Sequence, residues 1–302
     1  MRTQDAFSKC HPAVNFCYFA LVLVCSMFLM HPVCLGVSLF CAVCYTVSLY
    51  GGRGLRARLS YLVPMMLLAA ILNPAFNHQG ITTLARLPSG NPLTLESILY
   101  GVAAAVMLAA VVLWLACFSA VMTSDKTVCL FGRVAPALSL ILTMSLRFIP
   151  RFRSQFRAVR DAQRCLGEDT GAGKRPFARL SSAVTALSAV LTWSLEDGVD
   201  TADSMRSRGY GLPGRSFFAL YRFDRRDGWT MAWLLACGGS ILAGWVAGGF
   251  GWRYFPSVKG SGMTPLSVCL FTAYFALCLT PLVINGYDAL LWRRARRREA
   301  VA

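Results

Sequence analysis

Apolar residues occur along the chain in six long runs, which are separated by polar or charged segments. A run of about 20 apolar residues forms a helix that crosses the roughly 30 Å hydrocarbon layer of a bilayer. The runs cover about residues 13–30, 32–50, 60–76, 98–122, 229–250 and 265–286. The pattern predicts an all-α, polytopic helical membrane protein with a charged region between its fourth and fifth spans.

The spacing of these runs divides the chain into three parts. Residues 1–122 are predicted to hold about four N-terminal transmembrane spans, and residues 229–302 about two C-terminal spans and a basic tail. Residues 123–228 form the charged, helix-patterned region between them. Its apolar run from Val134 to Met144 is short and contains Pro136, so it is expected to pack against the bundle or lie at the membrane interface.

The first half of the central region has the pattern of an amphipathic helix over about residues 149–166. Its apolar residues recur on one face: Phe148, Phe152, Phe156, Val159 and Leu166. Its basic residues form a second stripe: Arg153, Arg157, Arg160 and Arg164. Pro150 is expected in the first turn, and Gly167 is expected to end the helix. The arginine stripe fits either a partner contact or a solvated or lipid-headgroup face.

The second half of the central region has a similar pattern. Its apolar residues share one face: Leu180, Val184, Leu187, Leu191, Ala202 and Met205. Gly209 and Gly211 are expected to end this helix, and residues 168–176 have turn composition. Glu196, Asp200 and Asp203 form an acidic stripe, which is expected to lie near the arginines of the first helix. The region is therefore predicted to be a helical hairpin with one apolar and one charged side.

Basic residues are distributed unevenly between the segments that connect the spans. If the N-terminus is cytoplasmic, all but three of the 30 Lys and Arg residues lie on the cytoplasmic side, the exceptions being Arg86, Arg253 and Lys259. Cytoplasmic loops of membrane proteins carry such an excess. A multi-pass protein of the cell membrane is therefore predicted, with the hairpin and both termini in the cytoplasm. The same bias explains the net charge of +16 without a nucleic-acid partner.

Several chemistries are disfavoured by the positions of the polar residues. All 14 acidic residues fall outside the predicted span interiors, whereas ion-driven carriers usually keep an ionisable group there. The 12 cysteines and three histidines form no metal-binding pattern, so no metal or other cofactor is expected. The run from Gly171 to Arg175 lacks the glycine and the Ser or Thr that a phosphate-binding loop requires. No catalytic residue is assigned, and any ATP hydrolysis is expected on another polypeptide.

Three segments of the central region resemble motifs of a known family: Arg147-Phe148-Ile149-Pro150, Ala162-Gln163-Arg164 and Ser207-Arg208-Gly209-Tyr210-Gly211. They are similar to the transmembrane T component of energy-coupling factor (ECF) transporters, which are ATP-driven importers of vitamins and metal ions, and the similarity extends to His11-Pro12 and most of the chain. The resemblance implies two coupling helices, each ending in an Ala-Arg-Gly-like motif that docks on one of a pair of ABC-type ATPases. It also implies a separate substrate-binding membrane protein, the S component.

The resemblance assigns roles to particular residues. ATPase docking falls to Ser207, Arg208 and Gly209 at one helix end, and to Arg164, Cys165, Leu166 and Gly167 at the other. Support of the coupling helices falls to Arg147, Pro150, Ala162, Gln163, Asp203 and Met205. Leu166 departs from the family pattern, because leucine stands where arginine is expected, so the first contact passes either to Leu166 itself or to Arg164. Two unequal ends imply two non-identical ATPases or one fused pair.

The permease subunit of an ordinary ABC importer is the alternative. Asp161-Ala162-Gln163 followed by Gly167 has the spacing of the Glu-Ala-Ala-x-x-x-Gly segment of such permeases, but the Ile and Leu-Pro that should follow are missing. An integral membrane enzyme is disfavoured, because no catalytic set can be assembled on one face. The transported substrate is not encoded in this chain, because in the ECF family recognition belongs to the S component.

Overall fold

The structure, a computed structural model, describes residues 5–77, 80–86, 92–167, 176–212, 221–260 and 264–299. In these ranges a short 3₁₀ helix, Phe7–Lys9, precedes eight α-helices. The helices are α1 Pro12–Phe28, α2 Pro32–Phe76, α3 Leu95–Val121, α4 Ser124–Val134, α5 Pro136–Cys165, α6 Pro176–Ser207, α7 Arg225–Val246 and α8 Pro265–Glu299. The prediction of an all-α, multi-pass membrane protein is confirmed.

Four of the described helices are long and apolar enough to cross a membrane: α2, α3, α7 and α8. The apolar helix α1 is shorter, with 17 residues. The runs 32–50 and 60–76, which the sequence separates, lie in the single 45-residue element α2. Gly51 interrupts this element with φ 71° and ψ 176°, a backbone conformation that glycine adopts without steric cost. The two runs are therefore the two limbs of a kinked helix.

Two small β-hairpins connect helices and were not predicted. Strand β1, Thr83–Arg86, pairs antiparallel with β2, Pro92–Thr94, ahead of α3. Strand β3, Trp252–Arg253, pairs antiparallel with β4, Lys259–Gly260, between α7 and α8. Both are too short to have a clear alternating pattern in the sequence.

The chain divides into two compact units. Unit 1 comprises Met1–Thr123 and Tyr221–Ala302, and unit 2 comprises Ser124–Leu220. Unit 1 thus combines the helices on either side of the central region, α1 to α3 with α7 and α8. Unit 2 contains α4, α5 and α6.

The core of unit 1 is built from large aromatic residues. Trp114, Tyr18, Phe19 and Phe7 are fully buried, and their rings meet edge to face, with the Phe7 and Tyr18 centroids 5.1 Å apart. Such edge-to-face pairs add to the stabilisation that burial of the rings provides.

A chain of hydrogen bonds joins four helices inside this core. The indole N–H of Trp114 on α3 donates to Ser38 Oγ on α2 at 3.1 Å. Ser38 Oγ lies 2.9 Å from Ser26 Oγ on α1, which lies 3.1 Å from the hydroxyl of Tyr274 on α8. Because buried polar groups are costly without partners, this chain fixes the relative positions of the four helices.

Two of the three histidines cap helix N-termini. His11 Nδ1 accepts from the backbone N–H of Ala13, and His31 Nδ1 accepts from that of Val33. The backbone N–H of His11 also donates to the buried carboxylate of Asp227 at 3.1 Å, which links the start of α1 to the start of α7. His78 lies outside the described residues.

Unit 2 begins differently from the prediction. Helix α5 starts at Pro136, not near Ile149, so the run from Val134 to Met144 is mostly the first part of α5 and Pro150 lies in the helix interior rather than in its first turn. Proline is favoured at the first helical position, and Pro136 occupies it. The hydroxyl of Ser139 donates to the carbonyl of Val128 at 3.3 Å, which joins α5 to α4.

Candidate functional site

Helices α5 and α6 pack side by side in unit 2, and three contacts define their register. The hydroxyl of Ser182 donates to Gln163 Oε1 at 3.5 Å. The rings of Trp193 and Phe152 meet edge to face, with centroids 6.2 Å apart. Asp197 pairs with Arg151. Because the contacting residue on α6 advances as that on α5 recedes, the helices are antiparallel and form the predicted hairpin.

A cluster of four side chains holds the middle of this hairpin together. The two terminal nitrogens of the Arg151 guanidinium, Nη2 and Nη1, lie 2.7 and 2.9 Å from the carboxylate oxygens of Asp197. The same guanidinium lies 5.2 Å from the centre of the Trp193 ring. Phe152 contacts the same Trp193 ring and stacks on Phe148. The bidentate ion pair of Arg151 with Asp197 and the cation–π contact with Trp193 fix the rotation of each helix about its axis.

The interhelical ion pair therefore differs from the predicted one. The acidic stripe Glu196, Asp200 and Asp203 was expected to meet arginines of the first helix, yet within the described residues the ion pair between α5 and α6 is that of Arg151 and Asp197. The reason is the rotation of α6, whose contact face passes through Asp197.

The contact face of α6 has one large residue, Trp193, and four small, β-branched or acidic ones: Ser182, Ala186, Val190 and Asp197. Ala186 is fully buried and Val190 is 7% exposed. Four of the apolar residues expected on this face instead stay outside the seam and are 52–63% exposed: Leu180, Val184, Leu187 and Leu191. Together with Leu195 and Val199, which were not part of the prediction, they make what we call the α6 ridge. Small side chains allow two helix backbones to approach closely, and this explains why they occupy the seam.

Helix α6 ends in a well-formed cap. The N–H of Gly209 donates to the carbonyl of Arg206, and the N–H of Tyr210 to that of Met205, both at 3.0 Å. This pair of bonds is the Schellman motif, with Gly209 at its left-handed position, φ 75°. The predicted end at Gly209 is confirmed. Arg208 is the last residue before the turn, and its side chain is exposed.

Helix α5 also ends at a left-handed glycine. The N–H of Gly167 donates to the carbonyl of Arg164 at 3.1 Å, and Gly167 is left-handed with φ 73°. Its predicted role as the helix stop is confirmed. Leu166 thus occupies the position at this end that Arg208 occupies at the other, and it is 77% exposed. Arg164 corresponds to Arg206, and it is paired with Asp161 one turn earlier at 3.2 Å.

The two ends lie far apart on the hairpin. Gln163, close to the end of α5, lies beside Ser182, whereas Arg208 follows about 26 residues later along α6. At about 1.5 Å per helical residue, the ends are separated by about 40 Å along the hairpin. A single small contact surface cannot include both.

Most of the other predicted docking and support residues lie exposed on α5 and α6. Cys165 and Ser207 occupy equivalent exposed positions in the last turns of α5 and α6, and the Ser207 hydroxyl donates to the carbonyl of Ser204. Gln163 is 9% exposed and Met205 is half-buried. The remaining support residues are exposed: Arg147, Pro150, Ala162 and Asp203. The loop 168–175 with its glycine-rich run lies outside the described residues.

Sequence reasoning missed a repeat that marks both ends. Asp161, Arg164 and Gly167 have the same spacing as Asp203, Arg206 and Gly209. It also missed Arg151, Trp193 and Asp197, because nothing in a single helix pattern reveals which turn of the partner it meets. The repeat alone was sufficient to show that Leu166 and Arg208 are equivalent.

Both helix ends lie in a segment that matches a known protein family. The model of the family CbiQ, cobalt transport protein, matches residues 7–216, which is more than half of the chain and includes both ends. This chain belongs to the CbiQ family. The matched segment also spans α1 to α3, so the membership rests on both units rather than on the hairpin alone.

Curated relatives of this CbiQ-family chain are energy-coupling factor transporter transmembrane proteins EcfT. That of Lacticaseibacillus paracasei is 32% identical over 108 residues, 35% of this chain and 39% of the relative. That of Lactococcus lactis subsp. cremoris is 33% identical over 91 residues, 30% of this chain and 34% of the relative. That of Exiguobacterium sibiricum is 30% identical over 114 residues, 37% of this chain and 42% of the relative. The alignments therefore span 34–42% of the length of these relatives.

Proposed function

We propose that this chain is the transmembrane energy-coupling subunit of an ATP-driven ECF importer. The observation that carries the proposal is the pair of helix ends with the same glycine turn, about 40 Å apart on one hairpin. Two separated and similarly built ends suit two ATPase subunits, each gripping one end. Family membership and the similarity to EcfT proteins support the same assignment.

The Arg208 end has the chemistry of an anchor. Gly209 has no side chain and turns the backbone away in a left-handed conformation, so a groove on the partner can approach the helix end closely. Arg208 is exposed beside it and can form two parallel hydrogen bonds to a carboxylate. We assign to Arg208 the main contact with one ATPase.

The Leu166 end has the same glycine turn as the Arg208 end, but the side chain beside the turn is apolar. Leucine at the equivalent position is 77% exposed and fits an apolar slot, whereas Arg164 is held by Asp161 and lies on another face of the helix. The two ATPases are therefore expected to be non-identical, or to be the two halves of a fused chain. The chain itself supplies no nucleotide site in this scheme and acts as a non-catalytic subunit.

The α6 ridge supports a further partner. Leu187 and Leu191, in its middle, line a groove beside α5. The exposed residues toward its two ends, Leu180, Val184, Leu195 and Val199, suit an apolar contact with a membrane subunit. In the proposed importer this subunit is the substrate-binding S component, which determines whether a vitamin or a metal ion is carried. The excess of Lys and Arg in the connecting segments supports a cytoplasmic location for the hairpin and both chain termini.

Purification of the tagged chain in a mild detergent tests the proposal directly. We expect two ATPase polypeptides, or one fused pair, and a small membrane protein that binds substrate to co-purify in stoichiometric amounts. The isolated chain should not hydrolyse ATP. ATPases without a substrate-binding membrane subunit would indicate an ordinary permease, and ATP turnover by a rigorously ATPase-free preparation would contradict the non-catalytic role.

A further inference from the structure

A groove runs between α5 and α6 on one side of the hairpin. It has a volume of about 480 Å³, within the range of about 300–1,000 Å³ that is usual for small-molecule sites. It is lined by Phe152, Arg153, Phe156, Arg157, Leu187, Val190, Leu191 and Ser194. The groove therefore combines an apolar floor with two arginines one helical turn apart.

Ion pairing distinguishes these two arginines from Arg151 and Arg164. Arg151 is paired with Asp197, and Arg164 with Asp161. Arg153 and Arg157 are exposed and form no ion pair with any carboxylate in the described parts of the chain. Two guanidinium groups on one face, four residues apart, repel each other and favour an anion placed between them.

The apolar residues of the groove indicate what else a ligand must contain besides an anionic group. The aromatic rings of Phe152 and Phe156 line its α5 side, and Leu187 and Leu191, in the middle of the α6 ridge, line its α6 side. A ligand that satisfies both surfaces has a long apolar part and an anionic head. In a multi-pass membrane protein, the molecule of that chemistry present in large excess is an anionic phospholipid.

We propose that this groove binds one anionic phospholipid, with an acyl chain along Phe152, Phe156, Leu187 and Leu191 and with its phosphate between Arg153 and Arg157. The bound lipid would fill the space that the small-residue seam of α6 leaves beside it. It would also tie the hairpin to the membrane surface, independently of which ATPases dock at its ends. The site is separate from the docking ends at Leu166 and Arg208.

Native mass spectrometry of the full chain tests the proposal. The protein is released from vesicles of phosphatidylcholine containing phosphatidylglycerol, and the retained lipids are counted while the activation energy is raised. We expect one phosphatidylglycerol to remain longest on the unchanged protein. Arg153→Gln with Arg157→Gln should weaken its retention about tenfold or more, because two phosphate contacts are lost.

The matched control removes the same charge elsewhere. Arg160→Gln with Arg206→Gln changes two exposed arginines that do not line the groove and should leave the retained lipid in place. Circular dichroism establishes that both variants remain folded. Equal loss in both pairs, or equal retention of phosphatidylcholine and phosphatidylglycerol by the unchanged protein, would overturn the proposal.

A photoreactive amino acid at position 194 distinguishes lipid from protein as the occupant. Ser194 lines the groove, so the crosslinker would sit against whatever fills it. In the complex purified with all its partners, we expect the crosslinked mass to be that of a phospholipid. Capture of another polypeptide at this position would show that the groove is a protein interface, and would refute the lipid site.

Discussion

The two units of this protein differ in what they bury. Unit 1 encloses large aromatic residues completely, among them Trp114, Tyr18, Tyr45 and Tyr274, and joins four helices through buried hydroxyl groups. In the described part of unit 2, the buried hydrophobic residues are Ala186 and Val190. Its large apolar side chains, such as Leu195 at 73% exposure, remain on the outside.

This difference indicates how each unit reaches a stable state. Unit 1 carries its own packed core, and its packing specifies one arrangement of helices. Unit 2 has a narrow seam, one four-residue cluster and an exposed apolar ridge, so much of its stabilisation is expected to come from partners and lipid. Because few buried contacts hold unit 2 together, its helices can also shift when its partners change conformation.

The largest effect is expected in the core of unit 1. Trp114→Ala removes a fully buried ring and the N–H that bonds Ser38, and it should cost about 3–5 kcal/mol of stability. The midpoint of unfolding by sodium dodecyl sulfate, followed by far-ultraviolet circular dichroism, measures it. Trp245→Ala is the control, because that ring is 53% exposed, and its midpoint should change little. Equal shifts would show that unit 1 lacks the proposed core.

A smaller effect is expected in the seam of unit 2. Ala186→Phe puts a large ring at a fully buried position on the contact face of α6, and it should cost about 1–3 kcal/mol through overpacking. Hydrogen exchange should then rise in α5 and α6 and stay unchanged in α1 and α3. Ala189→Phe, at an exposed position of the same helix, is the control. If both variants open the hairpin equally, the seam does not run through Ala186.

The unequal helix ends give the next prediction. Leu166→Asp puts an unpaired carboxylate into the apolar contact, and it should weaken ATPase binding about tenfold, or about 1.4 kcal/mol. Arg164→Ala, two residues away, should have a lesser effect. ATPase retention on a column of detergent-solubilised protein compares the two. If Arg164→Ala strips the ATPase and Leu166→Asp does not, Arg164 is the anchor at this end.

The smallest effect is expected for the ion pair of the hairpin. Arg151 and Asp197 are joined at 2.7 Å, but the Arg151 side chain is 52% exposed, so the pair should contribute under about 1 kcal/mol. Asp197→Arg should loosen the hairpin in hydrogen exchange, and adding Arg151→Asp should restore it. Rescue of Asp200→Arg by a reversal at Arg153 or Arg157 would instead support the pairing predicted from the sequence.

The C-terminal ends of α5 and α6 were predicted well from the sequence, because Gly167 and Gly209 allow the left-handed turn that ends a helix, however the helices pack. The prediction failed on the face of α6 that meets α5. Helical periodicity identifies the row of large apolar residues, but in a membrane protein such a row is stable toward lipid or another subunit, and the close contact falls to small residues such as Ala186.

That one error explains the wrong ion pair. Val190 and Asp197 are seven residues, or about two helical turns, apart, so a contact face that passes through Ala186 and Val190 also presents Asp197, whereas Glu196 points about 100° away from Asp197. The start of α5 was missed for a similar reason. Pro136 and Pro150 both fit a first turn locally, and the choice depends on packing against α4, which the pattern of α5 does not contain.

Arg208 is the proposed anchor of one ATPase at the end of α6. Arg208→Ala and the control Arg206→Ala remove the same charge two positions apart, both from exposed sites. Surface plasmon resonance of the purified ATPases over each immobilised variant measures the affinity. We expect Arg208→Ala to weaken binding about 30-fold or more, corresponding to about 2–5 kcal/mol for a charge-paired anchor, while Arg206→Ala changes it less than threefold. Unchanged binding by Arg208→Ala would show that Arg208 is not an anchor and only caps its helix.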